Sequence, residues 1–199
     1  MERRFSLKRA ILDILYIKEQ VYDKFKSNDN YKPILDFLMA KDYLDDDITI
    51  PSFKEMEEKI GIKMYHLRKN LKGLYDEIFE YENGVKFEFN EVEIYFYLKG
   101  YGKNYQSFIC RNLGYIPRVG EELELPFVNA KLNTSYFYVD SITHCLQEGK
   151  QMIYIYLKSG SFNAYWKIRR DEAEMKGEFT FNDSINLDEY DLKKKLGLR

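Results

Sequence analysis

At 199 residues, 45% of them hydrophobic and 32% charged, the chain is long enough for one ordinary or two small cored domains and too apolar for disorder. Two cysteines, Cys110 and Cys145, exclude a multi-bridge disulfide framework, and no apolar run approaches a membrane span, so a cytoplasmic protein with no membrane partner is expected. The formal net charge of −2 excludes a broadly basic nucleic-acid binder: residues 1–85 hold fifteen basic and seventeen acidic groups and the remainder sixteen of each, so any such contact must come from a local patch.

In chain order, the basic start (Arg3, Arg4, Lys8, Arg9) precedes Ala10-Ile11-Leu12, but Asp13, Lys18 and Glu19 interrupt the apolar run too early for a signal peptide. Residues 5–27 read instead as one amphipathic helix, with Leu7, Ile11, Ile14, Val21 and Phe25 at helical spacing and Lys18 as its polar break. Asn28-Asp29-Asn30 punctuates it. A second helix begins at about Pro33, suited to a first turn, and runs through Ile34, Phe37, Leu38 and Tyr43 to Asp45-Asp46-Asp47. The third opens on Ser52, which stands in capping-box relation to Glu55 and precedes Phe53, Met56 and Ile60 on an inner face. Gly61 then supplies a left-handed turn, and a fourth helix from about Lys63 carries Leu67, Leu71, Leu74 and Ile78. Its end is open, because Asn83-Gly84 also suits a hairpin.

From Val85 the period changes to that of strands, in keeping with eighteen Tyr and fourteen Phe. Val92, Ile94, Phe96 and Leu98 alternate with Glu93, Tyr95, Tyr97 and Lys99, and Tyr105 to Cys110 forms a further strand. Pro117-Arg118-Val119-Gly120 is a turn into Leu123 and Leu125. Phe137 to Leu146 and Met152 to Leu157 pair around Glu148-Gly149-Lys150. Ala164 to Lys176 fits either a helix or a strand with a loop, and Asp188 to Leu196 a terminal helix. No internal repeat is evident.

The stretch from Ser52 to Leu74 resembles the bacterial helix-turn-helix of repressors and sigma-factor DNA-binding regions. Met56 and Ile60 match the buried positions of the first motif helix, Gly61 and Ile62 the turn, and Leu67 and Leu71 the buried positions of the second. Glu57 departs from the pattern, standing where a small residue lets the helices approach. The resemblance implies a recognition helix whose outward residues Lys63, Tyr65, His66, Arg68, Lys69 and Lys72 contact DNA, with no acidic residue until Asp76. Read without it, the same face is a protein-docking surface or a solvated packing element.

Alternation also sets Tyr95, Tyr97, Tyr136, Tyr138, Tyr154 and Tyr156 on the faces of their strands opposite the aliphatic residues. If the strands share a sheet in register, the six line one face, as a ligand or partner surface or as a half-buried layer beneath a helix. Ile116 to Glu121, with Tyr138-Val139 and His144, is similar to a small β-barrel pattern of bacterial proteins. His144, Cys145, Cys110 and His66 give no zinc framework, Asp45 to Asp47 no calcium loop, and Gly100-Tyr101-Gly102-Lys103 no phosphate loop. The lysines at 193–195 suit a wet helix face.

The expected architecture is α+β: an N-terminal helical bundle with helix-turn-helix over residues 1–84, and an antiparallel β domain, a small barrel or sandwich with a short C-terminal helix, over 85–199. The expected function is DNA binding, as in a transcription regulator, with the β domain for dimerisation or ligand sensing. The alternative is a non-enzymatic scaffold docking a protein partner, or a second copy, through the helical or tyrosine-rich face. No enzyme activity, catalytic residue, metal or cofactor is expected.

Overall fold

Helical periodicity in the first half and strand alternation in the second give a mixed α+β protein, described by a computed structural model over residues 5–102, 104–187 and 189–198. Arg3 and Arg4, Lys103, and Asp188 at the expected start of the terminal helix lie outside the described residues. The chain forms two units. The first runs up to Val92 and includes Cys145–Met152; the second combines Glu93–His144 with the chain from Ile153 onward.

In the first unit, the expected helix over residues 5–27 is two helices, α1 (Leu7–Leu15) and α2 (Lys18–Phe25). The chain leaves helical geometry at Ile17, whose N–H donates to Ile14 O at 3.0 Å in a tightened turn. That break removes the helical donor from the Tyr16 carbonyl, which accepts the Glu148 N–H at 2.7 Å instead. Lys18, the polar interruption in the stripe, reaches Asp42 at 3.5 Å. α3 (Lys32–Met39) carries Pro33 in its first turn and ends before Tyr43, whose buried ring stacks on Phe37. The three aspartates therefore lie in a loop, where Asp45 Oδ1 accepts the Asp47 N–H, and do not end the helix.

α4 (Phe53–Ile60) and α5 (Met64–Ile78) complete the unit. Ile11, Ile14, Val21, Leu38, Met56 and Leu71 meet in one buried core, as apolar stripes at helical spacing require. Asn83-Gly84 closes no hairpin. Gly84 instead donates its N–H to Glu80 O, and Val85 to Ile78 O, in the turn that terminates α5. A Cβ at Gly84 would stand 2.2 Å from Glu80 O and 2.6 Å from Ile78 O, so only glycine fits.

The strands are β1 (Glu91–Lys99), β2 (Tyr105–Cys110), β3 (Glu122–Glu124), β4 (Tyr136–Gln147) and β5 (Lys150–Ser159), in one curled, half-barrel sheet of order β2-β1-β5-β4-β3. A 3-10 turn (Pro126–Val128) and α6 (Asn129–Leu132) separate β3 from β4. β1 pairs antiparallel with β2, setting Tyr97 opposite Ser107 and Lys99 opposite Tyr105, and β3 pairs antiparallel with β4. β1 and β5 depart from the expected all-antiparallel arrangement. Tyr95 lies against Tyr154, Tyr97 against Tyr156 and Glu91 against Lys150, so partner numbers rise together along both strands, as in parallel neighbours. Ile94, Phe96 and Leu98 pack with Phe137, Val139, Ile153, Ile155 and Leu157 beneath the sheet.

The β4–β5 hairpin turns on Glu148 and Gly149 with φ of 50° and 71°, two left-handed residues in succession, as a two-residue type I′ turn requires. After β5, Ala164–Met175 is a helix (α7) and not a strand with a loop. Its N-cap Asn163 accepts the Trp166 N–H, and α8 (Phe181–Asn186) and α9 (Glu189–Lys195) follow. Trp166, Ala173, Phe179 and Leu192 form their small buried cluster. Among the described residues no helix is long and apolar enough to cross a membrane.

Candidate nucleic-acid interface

The α4–α5 pair is built from local rules. Ser52 Oγ accepts the Glu55 N–H at 3.2 Å and Glu55 Oε2 accepts the Ser52 N–H at 2.8 Å, a reciprocal cap that holds the Glu55 carboxyl below its ordinary titration range. Gly61 takes φ +76° at the C-cap of α4 and returns its N–H to Glu57 O at 2.9 Å.

Glu57, the residue out of place in the sequence pattern, has a job here. Its half-buried side chain reaches across the turn, and Oε1 accepts the Met64 N–H at 2.9 Å, satisfying a free donor at the start of α5. Lys63, the N-cap residue, offers no side-chain acceptor there. Glu57 also places a carboxylate at the positive end of the helix dipole. Glu57→Ala is therefore expected to destabilise the helical unit by about 1 kcal/mol, whereas Glu57→Gln, which keeps an acceptor, retains most of that stability. Chemical denaturation of the two variants checks this: equal losses would show that Glu57 does not cap α5.

Beyond the turn, α5 divides cleanly. Leu67, Leu71, Leu74 and Ile78 are buried, while Lys63, Tyr65, His66, Arg68, Lys69 and Lys72 are all exposed, Tyr65 with 73% of its surface free. The Arg68 guanidinium lies 5.4 Å from the Phe53 ring centroid, an orienting cation–π contact from the preceding helix. Tyr65 and His66 meet edge to face at 5.4 Å. Elsewhere in this unit several lysines are ion-paired, as Lys18 with Asp42, Lys32 with Asp36 and Lys54 with Glu58. Lys63, Arg68, Lys69 and Lys72 have no acidic partner within 4.0 Å among the described residues, so their charge is available to an anion.

The six strand tyrosines do not form one open face. Tyr95, Tyr97, Tyr154 and Tyr156 make a continuous ladder across β1 and β5, with Tyr97 and Tyr156 stacked at 5.3 Å and 18°. Those two are 39% and 40% exposed, while Tyr95 and Tyr154 are half-buried. Tyr136 is exposed near the sheet edge. Tyr138 is buried against the Phe162 ring, and burial pushes its hydroxyl up to about 12.

On this face Glu93 accepts the Tyr95 hydroxyl at 2.5 Å, and a further acidic residue is Asp140. In the structure Lys158 holds it at 2.8 Å and Lys167 at 3.4 Å. Burial raises the Asp140 carboxyl, but these lysines outweigh it and leave the group below its ordinary value. In α8, Lys195 and the Thr180 cap lower Asp183 to about 2. Both folded values lie below that of an unfolded aspartate, near 3.9. Their contribution to stability is thus complete at neutral pH and is lost as pH falls below that unfolded value, for Asp183 down through about 2. Denaturation midpoints measured across that range should decline less steeply in Asp140→Asn than in the parent chain; superimposable profiles would remove Asp140 from this account.

Sequence reasoning passed over Lys99, Tyr105, Lys131 and Lys158, which with Tyr97 and Tyr156 line a groove of about 540 Å³. A signal for it exists. Ile94-Tyr-Phe-Tyr-Leu-Lys99 and Ile153-Tyr-Ile-Tyr-Leu-Lys158 share a six-residue pattern, and they lie on neighbouring strands. Among the described residues, no group of three or more His, Cys, Asp or Glu is placed to hold a metal ion.

No family model, curated protein or solved structure matches this chain.

Proposed function

We propose that this chain is a duplex-DNA-binding protein of the regulator type, and that α4, Gly61 and α5 act as its helix-turn-helix. The observation that carries the reading is the unpaired cationic face of α5, set opposite a fully buried leucine stripe. In this reading α5 enters the major groove. Arg68 and Lys69 take guanine edges or phosphates, Lys63 and Lys72 take phosphates, and Tyr65 and His66 donate to the backbone or read a base. The Phe53 contact supports a defined direction for Arg68, which lowers the ordering cost on binding. The curled sheet of the second unit serves in this reading as a small-barrel module for dimerisation or ligand sensing. With a net charge of −2, duplex binding in this reading depends on this local cationic face.

Titration of the full chain against random duplex DNA over a salt series tests the proposal. Binding that weakens as salt rises, and weakens further in Arg68→Ala and Lys69→Ala, supports it. Absence of binding at low salt ends it.

A further inference from the structure

We propose that the open face of the β1/β5 pair is a second, independent binding site, for an unpaired nucleic-acid strand. The inference starts from the repeated pattern Ile-Tyr-x-Tyr-Leu-Lys. Because β1 and β5 are neighbours running in the same direction, the repeat superposes like on like. Ile94 and Ile153, Phe96 and Ile155, and Leu98 and Leu157 go into the core. Tyr95 meets Tyr154 and Tyr97 meets Tyr156 on the other face, and the two lysines end the rows, both lining the same groove. The repeat thus sets Tyr, Tyr and Lys side by side on two adjacent strands, with Lys99 exposed and Lys158 engaged by Asp140.

The surroundings extend that chemistry. Opposite Tyr97 on β2 stands Ser107, and Ser141 of β4 also lines the groove, so small side chains leave room beside the tyrosine pair. Tyr105 stands opposite Lys99, whose ammonium lies 5.9 Å from its ring centroid, and α6 contributes the exposed Lys131. Among the described residues lining the groove Asp140 is the single acidic one, and Lys158 and Lys167 engage it. A volume of about 540 Å³ is of the size that admits a small planar ligand.

The charge decides the occupant. Cations at the ends of an aromatic platform match a ligand that alternates flat apolar rings with anionic links, which is an unpaired polynucleotide. Bases take the exposed Tyr97, Tyr156 and Tyr105 rings, while phosphates take Lys99 and Lys131. The platform is too narrow and too aromatic for a duplex, whose bases are already stacked. This site therefore stands or falls separately from the α5 face.

The test uses the full chain with two fluorescein-labelled probes, an oligothymidine and an oligouridine of about a dozen nucleotides each, at on the order of 50 mM salt. Anisotropy should report binding of at least one probe, and the comparison distinguishes DNA from RNA. Tyr156→Ala and Tyr97→Ala should each weaken it about tenfold, and Lys99→Ala with Lys131→Ala should lower its salt dependence. Both tyrosines are exposed, and Tyr156→Phe, which keeps the ring, should restore affinity in a way that a merely folded surface does not. Arg68→Ala with Lys69→Ala should leave oligothymidine binding unchanged. The proposal is overturned if neither probe binds, or if binding persists undiminished in the tyrosine variants. Self-association of the chain through Tyr97 and Tyr156 in place of probe binding would also overturn it.

Discussion

Raising salt from about 50 to about 200 mM is expected to weaken duplex-DNA binding on the order of a hundredfold, because each phosphate neutralised contributes about 0.9 to the log–log slope and α5 offers four cations. Lys63, Arg68, Lys69 and Lys72 are exposed along one helix and free of acidic partners among the described residues, so counterions released on binding are not offset by broken ion pairs. Removing Arg68 and Lys69 together should halve the slope and leave only about a tenfold dependence over the same range. Lys54→Ala is the control. Lys54 lies on α4 and already faces Glu58 at 3.9 Å, so its loss should leave the slope near that of the parent chain. Equal changes in both variants would mean that a diffuse field, and not the α5 face, attracts the duplex.

Leu71→Ala should cost about 3 kcal/mol, the largest stability effect of any single substitution discussed, because Leu71 is fully buried at the centre of the helical core. It faces away from the cations on the same helix. At temperatures where the variant remains folded, DNA affinity should therefore be close to that of the parent, and the loss should appear as an earlier denaturation midpoint of the helical signal. A variant that keeps its midpoint would place Leu71 outside the core. One that keeps its midpoint and loses DNA would place it at the contact surface.

Periodicity made the helical unit legible because every one of its stripes is buried against another helix. The capping box and the left-handed Gly61 were readable for the same reason: each depends on residues within a few positions of one another. What periodicity hid was long-range. The break at Ile17 falls beside Lys18, the one polar member of a stripe whose helical spacing continues on either side, and the freed Tyr16 carbonyl is satisfied by Glu148, far along the chain. Glu57 looked like a flaw because the pattern records side-chain size at a helix crossing and not the carboxylate's reach to Met64. On the sheet, alternation identified the tyrosines but not their partners. The parallel step from β1 to β5 depends on strand order, which no local spacing reveals. Tyr138 obeys the same alternation as Tyr156 and yet is buried, because Phe162 follows β5 and covers it.

The hairpin tip at Cys145–Met152 has a consequence for the order of events during synthesis. Its residues belong to the first unit, although more than fifty residues of the second are translated before them. The helices up to α5 emerge early, but the Tyr16 carbonyl waits for Glu148, so the first unit is finished only after β4 has left the ribosome. Cleavage in the chain after Val92 would accordingly leave a piece of the helical unit, Cys145–Met152, on the other fragment, and limited proteolysis should yield two noncovalently associated pieces more readily than two independent domains.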